Sequence, residues 1–78
     1  MKLYRLYFKD KENEEKYYIQ ALTFGGDPFV SIIPAFLEGE EGIYEEDKAN
    51  AYVKMLQEQT KDKNIPIEYG KEEVKNGR

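Results

Sequence analysis

The sequence predicts an α+β fold, a small antiparallel sheet of three to four strands with one helix packed on one face. Three observations predict it. Two runs rich in aromatic and aliphatic residues, Lys2–Lys9 and Tyr17–Phe24, alternate with period two and are joined by a short polar link. A Gly-Gly-Asp-Pro turn follows, and then a third apolar run. Beyond these, Ala49, Tyr52, Val53 and Leu56 recur at helical spacing. With 78 residues the chain holds one domain. A domain of that size buries only about 60% of its unfolded surface and has little stability to spare.

In the first strand Tyr4, Leu6 and Phe8 share one face, and Leu3, Arg5 and Tyr7 share the other. The even face is the more apolar and is expected to meet the core. Asp10–Lys16 is wholly polar and reads as the connection of an antiparallel hairpin. In the second strand Tyr17, Ile19 and Ala21 alternate with Tyr18, Gln20 and Leu22. Gly25-Gly26-Asp27-Pro28 turns the chain, because glycine allows positive φ and Pro28 restrains Asp27. Phe29–Ile33 forms the third strand; Pro34, which cannot donate a ladder bond, ends it or lies on an edge. Ala35-Phe36-Leu37 extends it irregularly, and Glu38–Gly42 is a loop.

The helix is expected from about Glu45 to about Lys61. Met55 flanks its apolar stripe, while Lys54, Glu58, Lys61 and Asp62 face solvent, with Lys54 and Glu58 spaced as a pair. Glu45, Glu46 and Asp47 suit the positive end of its dipole, Lys61 and Lys63 suit the negative end, and Asn64 suits a left-handed stop. Ile65–Tyr69 provides a short final strand, at an edge because of Pro66. The domain therefore spans residues 1–69, and 70–78 (GKEEVKNGR) reads as a flexible C-terminal tail. One helix cannot cover both sheet faces. The second face, with Leu3, Arg5, Tyr7 and either Tyr17 or Tyr18, is left for a partner or a second copy of the chain.

Charge is unevenly distributed. The net charge is −4, yet residues 21–47 hold seven acidic residues and no basic one. Both flanks are slightly positive. Cys and His are absent, which removes disulfides and the usual transition-metal ligands, so no cofactor is expected. Ser31, Thr23 and Thr60 lack a histidine base, and the chain is read as non-enzymatic. Gly25-Gly26 matches neither phosphate-loop pattern, and Asp27 would repel phosphate. Direct nucleic-acid binding is disfavoured: Lys71, Lys75 and Arg78 are interrupted by Glu72 and Glu73, and Arg5 beside Tyr4 and Tyr7 stands alone. No apolar run suits a membrane span, a signal peptide or a membrane-surface helix, so a cytoplasmic location is expected.

The candidate partner-binding residues are Glu38, Glu40, Glu41, Tyr44, Glu45, Glu46 and Asp47, in which six carboxylates fall within ten residues. Such a segment resembles a row of phosphates in charge and suits a basic groove. The same acids also suit a solvated loop feeding a helix start. A divalent-cation site is a third reading, although the spacing is not that of an EF-hand. Tyr44, set between Glu41 and Glu45, is the candidate aromatic anchor among the seven tyrosines, most of which suit half-buried strand positions.

Compactness, acidity, absence of Cys and His, and a Tyr-rich hairpin followed by the amphipathic segment EEDKANAYVKML carry a resemblance. In these features the whole chain resembles small proteins encoded by phages or mobile elements, among them anti-CRISPR inhibitors. That class shares no diagnostic motif, so the resemblance transfers no site residue. It implies a non-enzymatic inhibitor of a bacterial nucleic-acid-handling protein, such as a CRISPR effector, in the host cytoplasm. The alternative is a self-associating structural or accessory module, a homodimer built on the aromatic sheet face.

Overall fold

The computed structural model describes residues 2–26, 29–37, 39–61 and 65–74. It is an α+β protein in the order β1 (Leu3–Asp10), β2 (Lys16–Gly26), β3 (Phe29–Ala35), β4 (Tyr44–Glu45), α1 (Glu46–Thr60) and β5 (Ile67–Val74). Asp27, Pro28, Glu38, Asp62, Lys63 and Asn64, named above, lie outside the described residues.

β1 is the central strand. β5 pairs with it antiparallel over its full length, from Leu3 opposite Val74 to Asp10 opposite Ile67. A strand has two edges, so β2 and β4 share the other. β2 pairs at Tyr7–Lys9 and β4 at Leu3–Tyr4. Between them β2 peels away, bulged between Ile19 and Ala21, and continues as a ribbon with β3. A bulge sharpens local twist, and here it curls the sheet. The Ile19 carbonyl freed at the departure accepts the Gly42 N–H at 3.0 Å, which places the β4 segment beside it.

Two expectations need correction. Residues 70–74 are not tail: they form the second half of β5, and residues 75–78 lie outside the described set. The low apolar content of GKEEV suggested a tail, but its Glu72 is paired with Arg5 on β1 and with Lys16 and Tyr18 on β2, as described below. Also, Glu58 pairs with Lys61 at 3.4 Å rather than with Lys54. Pro34 lies in β3, at the sheet edge, as expected of a residue that cannot donate.

Tyr4, Leu6, Ile19, Ala49 and Leu56 are buried and form the core. Ala49 and Leu56 lie two turns apart on α1, while Tyr4 and Leu6 alternate on β1, so both periodicities converge on one layer between sheet and helix. Phe8, Leu22, Val30, Ile32, Tyr44, Tyr52, Val53 and Tyr69 pack around them. The β1–β2 turn is held by side chains: Asp10 Oδ1 accepts the Glu12 N–H at 2.8 Å and Asn13 Oδ1 accepts the Glu15 N–H at 2.9 Å. No helix among the described residues is long and apolar enough to cross a membrane.

Candidate functional site

The acidic segment divides by what each side chain touches. Glu40 folds back, its Oε1 accepting the N–H groups of Phe36 and Leu37, each at 3.3 Å. Glu41 does likewise: Oε1 accepts the Gly39 N–H at 3.0 Å and Oε2 accepts Arg5 Nη1 at 3.0 Å. Its own backbone N–H, and then Arg5, hold its carboxyl below the usual carboxylate range. Glu45 is the N-cap residue of α1 but makes no side-chain cap bond. It, Glu46 and Asp47 stand exposed at the helix start, where the dipole favours them. Glu46 also accepts a hydrogen bond from the Tyr4 hydroxyl at 3.3 Å.

Tyr44 does not project between acids. Its ring meets Tyr52 edge-on with centroids 5.2 Å apart, at the margin of the core. Burial raises its hydroxyl pKa. The side chains that do project are Phe36, 79% exposed, and Leu37, 67% exposed; Ile43, further along the same β3–β4 connection, is 45% exposed. Sequence reasoning placed Phe36 and Leu37 at an irregular strand end and gave them no role. The available signal was an apolar pair running directly into an acidic, glycine-containing loop.

The second sheet face is filled by the chain itself. Arg5 grips Glu72 Oε1 through Nε at 3.0 Å and Nη2 at 2.6 Å, and Tyr18 donates to the same oxygen at 3.0 Å. Lys16 bonds the other oxygen of Glu72. The Arg5 guanidinium lies 4.2 Å from the Tyr18 ring centroid, and Lys16 lies 4.5 Å from that of Tyr7. The hydrogen bond from Lys16, followed by those from Arg5 and Tyr18, lowers the Glu72 carboxyl to about 2. Arg5 and Lys16 thus balance Glu41 and Glu72. The aromatic face left for a partner or a second copy carries an internally paired network, with Tyr18 rather than Tyr17 beside Arg5 and Tyr7.

A groove of about 200 Å³ joins the two regions, lined by Arg5, Tyr18, Ala35, Phe36, Leu37 and Glu41. Among the described residues, no group of three or more carboxylates is arranged to hold a metal ion. Comparison with family models, curated proteins and solved structures finds no match to this chain.

Proposed function

We propose that this chain is a non-enzymatic binding protein that docks through the β3–β4 connection and the start of α1. One observation carries the reading: Phe36 and Leu37 are 79% and 67% exposed at the mouth of an acidic loop. Burying a side chain of this size is worth about 1.5–3 kcal/mol. The Glu40 carboxylate stitches the loop so that both stay in water. A partner with an apolar cleft bordered by Lys or Arg fits this surface: the apolar pair fills the cleft, and Glu45, Glu46 and Asp47 meet the rim. Glu40 and Glu41 shape the loop, and Tyr44 braces it from beneath. Glu38 belongs to the same segment by sequence.

The partner class is a bacterial nucleic-acid-handling protein, for which an inhibitor from a phage or mobile element, as with anti-CRISPR proteins, is the biological setting. Direct contact with nucleic acid or membrane forms no part of the reading, and the setting is the cytoplasm. Affinity capture from bacterial lysate tests it, with wild type compared against Phe36→Ser/Leu37→Ser and against Glu45→Gln/Glu46→Gln/Asp47→Asn. Wild type is expected to retain a nucleic-acid-binding protein that salt releases and that each variant loses. Capture unchanged in both variants, or capture of no such protein, would sink the proposal.

A further inference from the structure

The two edges of the sheet are protected in different ways. β5 carries Glu68, Lys71, Glu72 and Glu73 and is preceded by Pro66. Charge of this kind keeps an open strand from adding to another chain. β3, at the opposite edge, carries no charge. Asp27 is the only charged residue from Tyr17 to Leu37, in a chain whose charged fraction is 36%. Phe29–Ile33 (FVSII) combines aromatic and β-branched residues without charge, the composition that most readily joins another strand.

Among the described residues, one side chain hydrogen-bonds the backbone of this edge. Gln59 of α1 accepts the Val30 N–H through Oε1 at 2.7 Å and donates through Nε2 to the Val30 carbonyl at 3.0 Å. Both backbone groups of Val30 are therefore directed away from β2. In an antiparallel ladder alternate residues share that direction, so Ile32 and Pro34 present their backbones outward too. Pro34 has no N–H to offer. Gln59 at one end and Pro34 at the other leave Ile32 as the single open backbone pair between them.

We infer that the edge of β3 is a latent interaction surface, that the Gln59 amide occupies the place of a neighbouring strand, and that the partner it excludes is β3 of a second copy. The second copy follows from charge. The net charge is −4, so two copies repel least where neither is charged, and the β3 strand, FVSIIPA, is such a place. Antiparallel pairing about Ile32 would set two uncharged strands together and extend the sheet across a two-fold axis.

The test is Gln59→Met, which keeps length and helix preference but removes both bonds. By sedimentation at concentrations up to about 1 mM, the range in which weak strand addition shows, wild type is expected to be a monomer and Gln59→Met a dimer. Adding Ser31→Lys, which brings like charges together beside the axis, is expected to restore the monomer. Amide exchange on the wild type supplies a second reading that needs no variant: the Val30 N–H is expected to be protected and the Ile32 N–H to exchange fast. A folded Gln59→Met protein that stays monomeric, a wild type that dimerises through β3, or a Val30 N–H that exchanges as fast as that of Ile32 would each overturn the inference.

Discussion

Glu72 shows how much a single charged residue can do at a sheet surface. Four side-chain donor atoms from Arg5, Lys16 and Tyr18 converge on its carboxylate, and this holds its pKa at about 2, against an ordinary value of 4.5. A carboxyl whose folded pKa is depressed contributes stability that is complete above its unfolded value and is lost as pH falls through the folded one. For Glu72 that window runs from 4.5 down to about 2. Its side chain is 31% exposed, so solvent screening reduces the contribution to on the order of 1–2 kcal/mol. Glu72→Gln should therefore be less stable than wild type by that amount at neutral pH. Urea titrations should show the difference shrinking as pH falls below 4.5. A difference that stays constant down to pH 2 would mean the residue acts through packing alone.

At the scale of elements, what was legible in the sequence was what periodicity encodes. The even face of β1 reached the core because Tyr4, Leu6 and Phe8 alternate there. The α1 stripe was legible for the same reason, with Ala49 and Leu56 fully buried. The two-residue β4 was not legible, because no period fits so short a strand. It exists because β2 leaves β1 at Ile19, Gly42 bonds the freed Ile19 carbonyl, and Tyr44 and Glu45 take the vacated edge of β1. Nor did the sequence reveal that Tyr44 turns inward, since its acidic neighbours say nothing about Tyr52 eight residues later. Gly42 is the pivot of this arrangement. A Cβ built there would stand 2.7 Å from the Gln20 carbonyl oxygen, which is backbone and cannot swing aside. Gly42→Ala should cost about 1–3 kcal/mol, as overpacking of a tight contact does. In a spectral titration the loss should come with faster exchange of the residue 42 amide, which bonds Ile19. Unchanged stability would show that the loop relaxes freely.

At the scale of the whole molecule, the strand that composition disguised as a tail carries the most weight. β5 can carry three Glu and a Lys because it lies at an edge and because its Glu72 is neutralised by Arg5 across the ladder and by Lys16 of β2. Hydropathy reads such a segment as solvent-seeking; register shows it to be half of the pairing that holds the central strand. Truncation after Tyr69 separates the two readings. A dispensable tail would leave the melting transition in place. The structure instead loses five of the eight β1–β5 residue pairs, from Leu3 opposite Val74 to Tyr7 opposite Gly70. It also loses Glu72, and Arg5 and Lys16 are left without that partner on a sheet face that no helix covers. A domain of this length has only about 5 kcal/mol in hand, and the five lost pairs, at about 0.2–1 kcal/mol each, together with the ion network are comparable with it. The truncated chain should show no cooperative thermal transition by circular dichroism and collapsed amide dispersion by NMR. A native-like transition in that chain would mean that β1, held only by β2 and β4, suffices to organise the fold.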